Sequence, residues 1–419
     1  MIAKFLKKTE MLGLYCLALS LPTMQGPQNI SIGLIIIGSL GWRFAEKPIQ
    51  YRKPDTVEWI LLLMWIMTLI SSLFNVSDML LSARYFTRGT RDVGAYALLF
   101  WVMYRNTNKP VQIRNLVWCI IFGTLIGLSH GTYNWYMGNN DFIEFNNINS
   151  VIVTLMYTNF IIILLLGIII DPQSQFSYKS KCFFGLCILF FIFCLFLMGR
   201  RSCEIGFAVS FIFLLILFPR NKKLIGSLVI FTVLLTIFIL SLTYVDDSKS
   251  INVRHIKNIV NIFKGHMGDS DKERVDAWKT GIGLIIRGDH FFLGVGPNQF
   301  KKIQVKDLNL NGPLKINSKT RFLHPHNLFL NKFCEEGFLG LLTLIFFFSY
   351  IAKKLFLFRK QFKQEDWKWI GALGTFINIM VVGMIDIPFQ GGGIWMAMIL
   401  LGLGMARIKE SSNLGLTQK

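Results

Sequence analysis

The stretch Val151-Ile-Val-Thr-Leu-Met-Tyr-Thr-Asn-Phe-Ile-Ile-Ile-Leu-Leu-Leu-Gly-Ile-Ile-Ile170 decides the class of fold. It carries no charge and is long enough, as a helix, to cross a hydrocarbon core of ~30 Å. A helix satisfies its own backbone N–H and C=O groups, which lipid cannot do. Cys182–Met198 and Leu224–Leu242 repeat the pattern. Of 419 residues, 53% are hydrophobic and only 16% charged, where a soluble domain carries about a quarter. These runs specify an all-α polytopic membrane protein. Lys4, Lys7 and Lys8 precede an apolar run with no small-residue cleavage site after it, so that run reads as a first span. The net charge of +20 is scattered between apolar runs, which suits membrane topology better than nucleic acid. The seven cysteines include no CxxC pair, and five lie inside predicted spans, so they read as packing residues.

About twelve spans are expected, centred near Leu17, Ile35, Met64, Leu98, Ile121, Phe160, Phe190, Phe211, Val233, Thr343, Ile377 and Met398. They divide the chain into residues 1–244 with spans one to nine, a long polar insert over 245–336, and residues 337–419 with spans ten to twelve. With the N-terminus inside, every cytoplasmic segment carries Lys or Arg, while the outside loops after spans one, five and eleven carry none. Both termini are then cytoplasmic. Two short outside loops break the pattern, one with Arg84, Arg88 and Arg91, the other with Arg200 and Arg201. The planar guanidinium binds phosphate oxygens bidentately, so these arginines are candidate anion ligands. Anchoring to outer-leaflet headgroups is the alternative. All six histidines also fall on the outside.

The insert reads as helical. Ile256, Ile259, Val260 and Phe263 recur at helical spacing and suggest an amphipathic helix. Ser270-Asp-Lys-Glu273 is a capping-box pattern, followed by an apolar stripe at Val275, Trp278, Ile282 and Ile285. Arg274 and Trp278 are four apart and share one side of that helix. A cation near a helix N-terminus opposes the dipole, unless an anion binds there; pairing with Asp271 is the plainer reading. Gly294-Val-Gly-Pro297 marks a sharp turn. A phosphate cradle there would lack the strand and helix of a dinucleotide fold. Arg321-Phe-Leu-His-Pro-His-Asn327 opens span ten, with Pro325 suited to the first helical position and the pattern continuing unbroken to about Tyr350. His326 can serve as a general base, His324 and His326 can bind metal with Glu335 or Glu336, or both can be structural.

Together these patches resemble the bacterial O-antigen ligase and polymerase family. Leu197-Met-Gly-Arg-Arg-Ser202 is similar to its Leu-Thr-x-Ser-Arg-Gly motif, with Arg201 on the motif arginine, Arg200 in place of Ser and Ser202 in place of Gly. Glu273-Arg-Val-Asp-Ala-Trp278 resembles its Arg-x-x-x-Trp stretch, Gly294–Phe300 the turn that follows, and His324-Pro-His-Asn327 its His-Asn motif. Asp386 resembles an acidic residue of the final outside loop. The resemblance implies a C-type glycosyltransferase-like fold in the bacterial inner membrane with a periplasmic active site. It implies a polyprenyl-diphosphate-linked glycan donor, no cofactor and no required metal. His326, Arg201 and Arg274 are then the expected catalytic residues. Arg84, Arg88, Arg91, Arg200, Trp278, His324, Asn327 and Asp386 are expected to contact substrate. The expected reaction is transfer of O-antigen from undecaprenyl diphosphate to lipid A-core, with polymerisation of lipid-linked repeats as the alternative. A transporter would place ionisable residues at mid-membrane and show inverted repeats, and the sequence reveals neither.

Overall fold

A computed structural model describes residues 2–45, 53–75, 93–105, 109–139, 143–145, 151–198, 201–218, 226, 269–308, 316, 321–361, 366–387 and 391–413. Among these residues every regular element is helical. The long helices are α1 (Ile2–Ser20), α2 (Gln25–Ala45), α3 (Thr56–Phe74), α4 (Val93–Arg105), α5 (Pro110–Tyr136) and α6 (Val151–Ile170). Then follow α7 (Tyr178–Met198), α8 (Arg201–Leu217), α9 (Asp269–Ile286), α10 (Leu328–Gln361), α11 (Trp367–Gly383) and α12 (Gly391–Asn413). Five of them, α3, α5, α6, α7 and α10, are long and apolar enough to cross a membrane. The chain is a helical membrane protein. Eleven of the expected span centres fall inside these helices; Val233 lies outside the described residues, as does the proposed helix around Ile256–Phe263.

The opening stretch forms α6, and its uniform hydrophobicity has a structural reason. All its residues except Ile152 and Ile169 are buried, because α7, α8, α11 and α12 surround it. Glycines let the backbones approach: a Cβ on Gly374 of α11 would lie 2.3 Å from Ile163, and one on Gly404 of α12 would lie 2.2 Å from Ala372.

The bundle has two distinct ends. At one, Asp55 binds Tyr104 and Lys409, Glu58 pairs with Arg105, and Asp366 caps α11 while pairing with Arg407. Lys181 donates to the Asp171 carbonyl, and Arg359 to the last carbonyl of α8. These cations belong to segments expected on the cytoplasmic side, and they do share one end.

α10 departs from expectation. It starts at Leu328, not at Pro325, because Asn327 supplies the cap: its Oδ1 accepts from Leu330 N–H at 2.9 Å. It is also broken, at Gly337, where φ is 73° and ψ −172°. The segment Phe291–Gly296 fills the break. Its Val295 and Gly296 amides donate to the Cys334 and Glu335 carbonyls at 2.9 and 2.8 Å. Its Phe291 and Phe292 carbonyls accept from Phe338 and Leu339 at 2.7 and 3.4 Å. Backbone groups orphaned by the break are thereby satisfied. Positive φ at Gly294 and Gly296 makes the approach possible. The glycine turn is a splint for α10, and its amides are spent there, so it is not a phosphate cradle.

Candidate active site

α9 presents a different buried face from the stripe expected. Ala277, Thr280, Gly281 and Leu284 are buried, whereas Ile282 is exposed. The bare Gly281 lets α9 lie on α10: a Cβ there would meet Leu330 at 3.0 Å and Cys334 at 3.2 Å. The helix begins at Asp269, so Ser270 lies within its first turn rather than ahead of it. This packing brings Arg274 and Trp278 over the start of α10.

There the backbone is strained. His326 has φ 46°, a left-handed conformation uncommon for a residue with a side chain. Two bonds hold it. Trp278 Nε1 donates to the His326 carbonyl at 3.2 Å, and Asn327 Nδ2 donates to the Met384 carbonyl at 2.9 Å. Asn327 and Trp278 therefore direct their polar atoms into the scaffold. Strain of this kind persists only where surroundings enforce it, and it clusters at functional sites.

The enforced geometry points His326 at the loop after α11. Its Nδ1 lies 3.4 Å from Oδ1 of Asp386, a carboxylate only 2% exposed. Oδ1 also accepts from Ile387 N–H at 2.9 Å, and Arg274 approaches Oδ2 at 3.9 Å. Burial alone would raise the Asp386 pKa. The hydrogen bonds with His326 and the Ile387 amide, with the Arg274 guanidinium nearby, outweigh it and hold the carboxyl below its usual range. Arg274 also pairs with Asp271 at 3.3 Å, as the plainer sequence reading expects, yet its Nε is buried without a partner.

His324 packs edge-on against His326, ring centres 4.2 Å apart. Burial, then the neighbouring His326, lowers its pKa to about 4, so it is neutral at pH 7. Its Nδ1 is buried and unpartnered. Ligand atoms of His324, His326 and Asp386 all lie within 4.8 Å of one another, so Asp386 completes the metal-type constellation. Glu335 and Glu336 do not. Glu336 pairs with Lys332 at 2.5 Å and accepts from Thr68 at 2.9 Å, while Glu335 accepts from the Asn298 and Phe300 amides.

Arg84, Arg88, Arg91 and Arg200 lie outside the described residues. Arg201 is the first residue of α8. Five residues along, Gly206 packs against Val382 and Asn378 of α11, four and eight residues before Asp386. The start of α8 thus shares the His326 end.

Residues 186–345, which include Arg200, Arg201, Arg274, Trp278, His324, His326 and Asn327, match a family model described as O-antigen ligase. The chain carries an O-antigen ligase family domain. The match covers 160 of 419 residues and runs from within α7 into α10. No curated protein gives a significant match. The O-antigen ligase family comprises glycan ligases and polymerases acting on lipid-linked glycans. Asp386, outside the matched residues, joins the family domain through space.

One polar feature went unnoticed in the sequence. Asn159 of α6 and Asn378 of α11 are fully buried beside α8. Asn159 Nδ2 donates to the Cys203 carbonyl at 2.9 Å, leaving its Oδ1 unpartnered, and Asn378 has neither side-chain atom bonded. An amide inside an apolar run was the available signal.

Proposed function

We propose that the protein transfers O-antigen glycan from undecaprenyl diphosphate to a hydroxyl of lipid A-core at the periplasmic face of the inner membrane. The observation carrying this reading is the Asp386–His326 contact beside an incompletely paired Arg274. With the Nδ1 proton assigned to the Asp386 bond, His326 Nε2 keeps a lone pair for an acceptor hydroxyl. The hydroxyl oxygen bonds to the anomeric carbon as its proton passes to Nε2. The bond from that carbon to the diphosphate breaks, and the electron pair leaves with undecaprenyl diphosphate. Arg274, with Arg201 in this reading, offsets the charge growing on the leaving group. Attack opposite the diphosphate inverts the anomeric centre, and the charge balance needs no metal. The spans number about twelve, with both termini cytoplasmic and a C-type glycosyltransferase-like layout.

Purified protein reconstituted with lipid-linked glycan and lipid A-core in chelator tests this directly. Inverted product is expected, with at least ~100-fold less from Arg274→Ala. Near-normal product from both Arg201→Ala and Arg274→Ala would remove the diphosphate assignment. A deletion strain separates the acceptors. Loss of a ligase strands long glycans on the carrier, whereas loss of a polymerase leaves single repeats on the core.

A further inference from the structure

We propose that His324, His326 and Asp386 form an inhibitory site for a divalent transition metal of the zinc type. The inhibition half rests on His326 acting as the base; the binding half stands without it.

The donor set fits the ion. Two imidazoles and one carboxylate are a ligand combination that zinc accepts with an open fourth position. Imidazole also selects zinc, copper, nickel and cobalt over magnesium and calcium, which prefer oxygen. The geometry fits as well. His326 Nδ1 and Asp386 Oδ1 are 3.4 Å apart, and ligands on a tetrahedral ion with bonds of ~2.1 Å sit ~3.4 Å from each other. All three residues offer ligand atoms within 4.8 Å of one another, so closing the third position takes an ångström-scale adjustment of side chains. His324 Nδ1 is buried without a hydrogen-bond partner, a cost that ligation of that ring would relieve by reorienting it.

Arg274 works against the ion. Its guanidinium is 3.9 Å from Asp386 Oδ2, the oxygen opposite the one facing His326. The carboxylate can serve both cations, one on each oxygen, but they repel. Arg274 therefore weakens the metal site, and its removal tightens it. That sign is opposite to its effect on transfer, where Arg274 stabilises the anionic leaving group. A bound ion occupies the His326 ring and its carboxylate together, so the ring can neither orient nor accept a proton.

The test uses the full-length protein, stripped by chelator and dialysed, with no glycan present. Cobalt(II) reports tetrahedral nitrogen and oxygen ligation through its visible absorption, and zinc is titrated by calorimetry. One ion per chain is expected. His324→Gln and Asp386→Asn should each weaken it at least ~10-fold, and Arg274→Gln should strengthen it about 10-fold. Absence of a cobalt band and of stoichiometric zinc on the wild-type protein overturns the proposal whatever the variants do. So does binding that is indifferent to both ligand substitutions. Zinc, but not magnesium, should then abolish transfer in the reconstituted reaction and EDTA should restore it. Binding without inhibition overturns the regulatory role alone, while absence of transfer in metal-free protein counts against the enzymatic reading.

Discussion

The two ends of the bundle use charge in opposite ways. At the end holding Asp55 and Asp366, each carboxylate meets a cation and a helix terminus or hydroxyl. At the other, Arg274 has a buried Nε without a partner, His324 a buried Nδ1 without one, and His326 a strained backbone. Satisfied charges fix helices. Unsatisfied polar groups leave interaction energy for something that arrives, which is the ground on which the proposed chemistry is assigned to the second end.

The sharpest break would come at His326. His326→Ala should reduce transfer by about three orders of magnitude while the protein still inserts, read by initial rates at saturating donor. Gly337→Ala should come next, acting on stability. A Cβ there would lie 2.2 Å from the Phe292 carbonyl carbon, at φ 73°, and strain of this size costs about 3 kcal/mol or more. Thermal unfolding in detergent would read it, with Gly185→Ala, where a Cβ meets nothing, as the neutral control.

His324 gives a pH-dependent effect. The unfolded chain takes up a proton near pH 6.5 that the folded chain refuses until about pH 4. The neutral ring's contribution is thus full above pH 6.5 and declines as pH falls toward 4, by at most about 3 kcal/mol. Melting temperature followed from pH 7 to pH 4 in chelator should fall less steeply in His324→Gln than in wild type. The smallest effect belongs to the opposite end. Arg407→Ala removes a partly exposed pair but leaves Asp366 capping α11, so it should cost about 1 kcal/mol and leave transfer intact. Equal losses of transfer from Arg407→Ala and His326→Ala would erase the distinction between the ends.

Helices and the membrane class were legible because α6 and its neighbours are uniformly apolar, a signal that needs no partner to interpret. His326 was legible from the His324-Pro-His-Asn327 stretch at the head of a span, and Arg274 from its place near a helix start four residues before Trp278. What the sequence could not supply was pairing through space. Asp386 sits sixty residues from His326 and outside the matched family stretch, so nothing local marks it as the carboxylate on that ring. The stripe on α9 was misjudged because small residues, Ala277 and Gly281, make its close face, while exposed Ile282 looks like core by type alone. The break in α10 was hidden for a related reason: Gly337 within a long apolar pattern is tolerated by a helix, and only the splinting segment forces it open.

That splint constrains how the protein is made. α10 is not completed as a membrane helix by its own residues, since four of its backbone groups near Gly337 are bonded by Phe291–Gly296, and the Glu335 carbonyl also by Ser71 of α3. The segment precedes α10 in the chain, so it is available to dock as the helix forms. Completing α10 and seating Phe291–Gly296 are then coupled, and His326, at the head of the same helix, meets Asp386 in a chain where both are in place.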